Sequence, residues 1–257
     1  MKIRVLGSLS GTEPFPNRNH TSWVLELDNG SVYWFDAGEN CSRTAYLAAV
    51  DILNVKDIFI SHPHYDHLGG LMNVFTVMRK MRSLDGDQLP RTVNLHLPIA
   101  EMVEPFDKLM KTVDAYPLYT DVKIDTLYDG MVFDNGEIKV EIRGNKHIAP
   151  AEDGTFKAFS FRITAQDKVI VYSGDTHTAD VFADWTKKCD VVMMESGHHK
   201  PAEVCAKWKA DNANIGKILF VHHGRTFLNT PTQCRLASNH AWGSEVFFAE
   251  DNMVIEL

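Results

Sequence analysis

Ser61-His62-Pro63-His64-Tyr65-Asp66-His67-Leu68-Gly69-Gly70 is the stretch that decides how this chain is read. It follows Asp57-Ile58-Phe59-Ile60, a short apolar run that reads as a buried strand. Within six residues, His62 to His67, lie three imidazoles and one carboxylate. Those are the side chains that zinc and its neighbours prefer as ligands. Side chains at i and i+2 can point together at a strand end, and the turn can aim Asp66 and His67 at a second point. One short loop can therefore donate ligands to two adjacent cations.

Two cations need more ligands than one loop supplies, so partners are expected at other strand ends. His147 lies in Gly144-Asn145-Lys146-His147, just past a strand over 138–143. Asp175 lies in Ser173-Gly174-Asp175-Thr176, where the strand 168–173 ends. His222 is first after the strand 217–221, with His223 beside it as an alternative.

Further out, strands are expected at 3–6, 22–27 and 31–36, the last two joined by the hairpin signal Asp28-Asn29-Gly30. Helices are expected near 41–54, 68–83, 99–113, 178–186 and 201–213. Further strands fall at 93–97, 121–128, 131–133, 157–164 and 190–194, with two closing strands in 245–257. Segment 84–90 reads as a flexible loop. Strands in two batches, each followed by helices, argue for an α/β (α+β) protein with layered sheets and helices outside. No linker, low-complexity run or repeat interrupts the chain, so 1–257 reads as a single domain.

Bulk composition narrows the partners. A chain of 257 residues can bury a full core without disulfides or a structural metal. Its formal net charge of -8 disfavours a general nucleic-acid binder. No apolar stretch is long enough to span a bilayer, so no membrane partner is expected. The opening MKIRVLGSLSG lacks the layout of a signal peptide, and the four cysteines are scattered. Together they set the expectation of a cytoplasmic protein with reduced thiols.

The loop, the three strand-end ligands and the strand-end Asp36-Ala37-Gly38 come in the order seen in the metallo-β-lactamase fold superfamily, which this chain resembles along its whole length. The resemblance implies a four-layer αββα sandwich carrying two divalent metal ions, zinc foremost, with manganese or iron as alternatives. It implies His62, His64 and His147 on one metal and Asp66, His67 and His222 on the other, with Asp175 bridging. The implied chemistry is metal-assisted hydrolysis by a metal-bound hydroxide, which makes Asp66 part of the catalytic set as well as a ligand. Asp36 would orient a ligand histidine through its other ring nitrogen.

Within the superfamily the chain most resembles ribonuclease Z and its phosphodiesterase relatives. The likeness lies in Pro14-Phe15-Pro16-Asn17-Arg18-Asn19, Phe35-Asp36-Ala37-Gly38-Glu39, the strand ending at Glu195, His198-His199, His222-His223-Gly224-Arg225 and the C-terminal stretch 249–257. It implies that His198 or His199 protonates the leaving oxygen, that Glu195 tunes that imidazole, and that Arg225 clamps a phosphate oxygen. Three departures count against tRNA as the substrate: Pro16 in place of the family's lysine, too few residues between His147 and Asp175 for a long basic arm, and the negative charge. A small-molecule phosphodiester, such as a cyclic nucleotide, fits better. The same centre also serves lactone, thioester or amide hydrolysis, and a non-catalytic metal-binding domain is the remaining alternative. A homodimer is expected from such relatives.

Overall fold

The computed structural model describes residues 1–85, 91–113 and 120–257. They gather in two compact units, neither of them contiguous in sequence. Unit 1 comprises Met1–Gly7, Pro14–Leu127 and Asp251–Glu256; unit 2 comprises Ser8–Glu13, Tyr128–Glu250 and Leu257. The chain passes between them at ordinary strand and loop residues, so no linker composition marks the passage.

In chain order the strands and helices begin with β1 (Lys2–Gly7), β2 (Ser22–Glu26), β3 (Val32–Ala37), α1 (Cys41–Leu47), β4 (Val55–Phe59), α2 (Tyr65–Leu68) and α3 (Leu71–Asp85). Next come β5 (Arg91–Leu97), α4 (Val103–Thr112) and β6 (Thr120–Thr126). Of the loop expected over 84–90, Leu84 and Asp85 finish α3 and the remainder lies outside the described residues. The chain continues through β7 (Val132–Asp134), β8 (Ile138–Asn145), β9 (Ala158–Ala165), β10 (Lys168–Tyr172), β11 (Cys189–Ser196) and α5 (Pro201–Ala210). It closes with β12 (Ile215–His223), α6 (Arg225–Asn229), α7 (Pro231–Trp242), β13 (Phe247–Phe248) and β14 (Val254–Glu256).

Unit 1 is a seven-stranded mixed sheet in the order β14-β1-β2-β3-β4-β5-β6. The β2–β3 hairpin turns at Asp28-Asn29-Gly30, where Asn29 Oδ1 accepts from the Ser31 amide at 3.0 Å. From β3 onward the strands run parallel. In α3 the residues Leu71, Val74, Phe75 and Met78 repeat at helical spacing and are all buried, and they pack with Trp34 and Ile58 of the sheet. One cross-strand ladder binds four neighbouring strands. Trp23 stacks on Phe35 at 4.3 Å, Phe35 on Phe59 at 5.1 Å, and Phe59 on the His96 ring at 4.3 Å. Each such pair adds roughly 0.5–1.5 kcal/mol beyond its buried area.

Unit 2 is a second seven-stranded mixed sheet, in the order β13-β12-β11-β10-β9-β8-β7. Here β10 to β13 run parallel and β7 to β10 antiparallel. Its helices α5 and α6 contribute Val204, Cys205, Trp208 and Phe227 to a core with Val192, Met194 and Phe220.

Three local expectations change, the first being the helix expected near 41–54, which ends at Leu47 and is followed by a separate 3-10 turn at Ile52–Asn54. The helix expected over 178–186 is two 3-10 turns, Ala179–Phe182 and Trp185–Lys187. The Val181 carbonyl, which an α-helix would pair with the amide four residues on, instead accepts from Arg143 Nη1 at 2.9 Å. The helices α6 and α7 were not anticipated, because Pro231–Trp242 is polar enough to hide its periodicity. Its start and stop signals are there, Pro231 at the first turn and Gly243 (φ 97°) after the last. All four cysteines are free, and among the described residues no helix is long and apolar enough to cross a membrane.

Candidate metal centre

In α/β sheets, ligands gather at the carboxyl ends of parallel strands, and both units place their polar side chains there. In unit 1 these ends carry Asp36 on β3 and the loop 61–67 after β4. Asp36 is fully buried and sits at φ 55°, a left-handed conformation that is strained for a residue other than glycine. Its Oδ1 accepts from the Ser61 amide at 2.6 Å and its Oδ2 from the Ser61 hydroxyl at 2.9 Å. The same Oδ2 lies 2.8 Å from His67 Nδ1, and the Ser61 hydroxyl lies 3.1 Å from His62 Nδ1.

This network assigns protons to both Nδ1 atoms and leaves the two Nε2 atoms as lone-pair donors. His62 Nε2 converges with His64 Nδ1 at 3.1 Å, and His67 Nε2 lies 3.5 Å from Asp66 Oδ2. His62, Asp66 and His67 are buried, while His64 is exposed. Imidazole and carboxylate donors brought together in pairs, with their outer nitrogens fixed from behind, are the donor set that a divalent cation takes. The loop approaches β3 closely because residue 38 is glycine: a Cβ there would stand 2.5 Å from the Asp66 carbonyl oxygen.

In unit 2 polar side chains stand at the ends of β8, β10, β11 and β12. Asn145 Oδ1 accepts from the His147 amide at 2.9 Å, and Asn145 Nδ2 donates to Ser160 Oγ at 3.2 Å. Ser160 Oγ in turn donates to the Ser173 carbonyl at 2.6 Å, which ties the turn bearing His147 to the turn bearing Asp175. His147 Nε2 lies 3.6 Å from Asp175 Oδ2, and His222 Nε2 lies 3.2 Å from Asp175 Oδ1. One buried carboxylate thus has His147 near one oxygen and His222 near the other.

His222 sits at φ 51°, where the register between β11 and β12 slips by a bulge. The bulge separates the two adjacent histidines. His223 engages both ring nitrogens in the core, Nδ1 with Ser196 Oγ at 2.8 Å and Nε2 with the Ala249 carbonyl at 2.9 Å. His222 is the one aimed at Asp175.

Glu195, at the end of β11, is fully buried. Its Oε2 accepts from the His198 amide at 2.8 Å, and its Oε1 lies 3.1 Å from His198 Nδ1. Burial alone would raise the carboxyl, but hydrogen bonds from His198 and His222 outweigh it and hold Glu195 down at about 2. The hydrogen bond to Glu195 raises His198 above the ordinary imidazole value, against the opposing effect of its half-burial. His198 Nδ1 also lies 3.8 Å from Asp175 Oδ2. Glu195, His198 and His222 each bring a ligand atom within 4.8 Å of the others. His199 differs: its Nε2 donates to the Thr176 carbonyl at 2.9 Å, and its side chain is 17% exposed against 46% for His198. Arg225 is exposed and held by the carboxylate of Glu13, its Nη2 donating to Oε2 at 2.7 Å. Ser61 and Glu13 are the residues sequence reasoning passed over. Ser61 stood at the strand end in the quoted motif, whereas nothing near Glu13 pointed to Arg225.

The profile of the family described as Anti-Pycsar protein Apyc1 matches residues 1–210. Among curated proteins, ribonuclease BN of Proteus mirabilis is 29% identical over 170 residues, 65% of this chain and 51% of that protein. This chain spans about half the length of the curated relatives it matches. Among solved structures, the metallo-β-lactamase fold protein YhfI of Bacillus subtilis superposes with a TM-score of 0.75 at 18% identity, over 99% of both chains. The short form of human tRNase Z superposes with a TM-score of 0.73 at 17% identity, over 100% of this chain and 99% of that one. The fold is therefore the metallo-β-lactamase fold.

Proposed function

The chain belongs to the family described as Anti-Pycsar protein Apyc1, and from that premise we propose a metal-dependent phosphodiesterase of the ribonuclease Z-like branch that acts on a small phosphodiester. The observation that carries the reading is Asp175, a buried carboxylate with His147 at one oxygen and His222 at the other. In the proposed centre His62, His64 and His147 would hold one divalent cation and Asp66, His67 and His222 the second, with Asp175 shared between them. Cations bound there supply Lewis-acid chemistry, an activated water near neutral pH and charge neutralisation on the phosphate oxygens.

The chain's own residues do the rest. Asp36 and Ser61 hold His62 and His67 in the tautomer that binds. Glu195 keeps His198 protonated through Nδ1, so that the outer Nε2 gives its proton to the leaving oxygen. His199 anchors the loop through Thr176. Arg225 reaches a phosphate oxygen by exchanging the Glu13 carboxylate for it, since guanidinium matches both anions.

A compact substrate accords with three observations. Between His147 and Asp175 the chain forms only a turn, β9 and β10. The net charge is -8. The family carries the name of an anti-Pycsar protein, not of a ribonuclease. Four free cysteines agree with a cytoplasmic setting.

Purified protein assayed for metal by mass spectrometry should carry two divalent ions per chain. It should hydrolyse bis(p-nitrophenyl) phosphate and a 3′,5′-cyclic nucleotide, and His64→Ala should abolish both activities while keeping the fold. Turnover confined to a lactone and thioester panel would move the chain to carbonyl hydrolysis.

A further inference from the structure

Unit 1 contains a cavity of about 470 Å³ that the proposed metal centre does not use. Its walls include Phe15, Asn17 and Arg18 from the loop before β2, Arg43 and Leu47 from α1, and Asp251 from the segment before β14. The loop is built, not draped. The Asn19 amide donates to Asp251 Oδ2 at 2.6 Å, and Asn19 Nδ2 donates to Thr44 Oγ1 at 2.9 Å. Two arginines, Arg18 and Arg43, line this one space with a single carboxylate residue, Asp251, in a chain whose net charge is -8. Arg43 is exposed and, among the described residues, has no ion-pair partner. Beside it stand two apolar side chains turned outward, Phe15 at 39% and Leu47 at 64% exposure.

Guanidinium pairs select phosphate, a flat exposed ring selects an aromatic face, and the volume lies in the range that small ligands fill. We propose that this cavity binds a mononucleotide, its phosphate on Arg43 and Arg18 and its base on Phe15. The site is separate from the metal ligands, although the same loop runs on to His20. The backbone of His20 packs with the Asp66 carbonyl around Gly38, so an occupant of the cavity rests on the framework of the metal loop.

The test is calorimetric titration of His64→Ala protein, stripped of metal by chelation, with adenosine 5′-monophosphate, adenosine and inorganic phosphate. Because no turnover is read, failure of the phosphodiesterase reading does not touch the result. The nucleotide should bind more tightly than either half. Arg43→Glu, an exposed change that leaves the melting curve in place, should weaken it at least ~10-fold. Phe15→Ala should weaken the nucleotide ~5-fold or more and leave inorganic phosphate unchanged. Binding unaltered by Arg43→Glu, or binding that requires metal-loaded protein with His64 intact, would overturn the site.

Discussion

Asp36 in unit 1 and Glu195 in unit 2 are both fully buried carboxylates at strand ends, and both hold a histidine through Nδ1. They differ in what lies beyond the imidazole. His67 is wholly buried, and Asp36 reaches back to the Ser61 amide and hydroxyl as well. His198 is nearly half exposed, and Glu195 grips it through backbone and ring together. The first arrangement removes freedom from a buried imidazole; the second raises the pKa of an imidazole that is nearly half exposed. In the function proposed above, the same pairing of acid and histidine would give a fixed metal ligand in one place and a proton donor in the other, with solvent exposure deciding which.

The comparison breaks most visibly at the histidines of unit 2. If exposure marks the proton donor, His198→Ala should lower kcat on an alkyl phosphodiester by ~10²–10⁴-fold. His199→Ala, which removes a hydrogen bond to the Thr176 carbonyl and a 3.4 Å contact with Glu195 Oε1 but no exposed proton donor, should cost far less. The loss in His198→Ala should shrink on p-nitrophenyl esters, whose leaving group needs no proton. Equal losses in the two variants would end the assignment. A smaller effect tests the other side. Asp36→Ala should weaken metal binding ~10–100-fold in chelator competition, because His62 and His67 lose their orientation together. A change in kcat at saturating metal with unaltered affinity would show that Asp36 does something else.

How much of this was legible in the sequence follows the same division. The candidate ligands of the loop 61–67 stand out because a strand end compresses them into six residues. His147, Asp175 and His222 are recognisable only as polar residues that each end a strand, and what joins them is a sheet order that no local pattern carries. The choice between His222 and His223 needed the bulge in β12, which depends on pairing with β11. Ser61 was in plain view, but its role exists only once β3 has brought Asp36 beside it. The 3-10 turns at 179–187 form because Arg143, distant in sequence, takes the Val181 carbonyl, and α7 hid behind a polar surface that buries only Ser238 fully.

The finest test of the comparison is the pH profile of Glu195→Gln. Glu195 is ionised far below neutral pH, and its hydrogen bond raises His198 above the ordinary imidazole value. A general acid must be protonated to act, so activity falls as pH rises through the His198 pKa. Replacing the carboxylate by a neutral amide of the same shape removes the charge that raises it. The alkaline limb of kcat should therefore move to lower pH, with the acidic limb in place and metal content unchanged. In Asp36→Asn the pattern should be reversed: metal affinity falls while the alkaline limb stays. A variant of Glu195 that loses metal without moving the limb would make both carboxylates the same device, and exposure would no longer separate them.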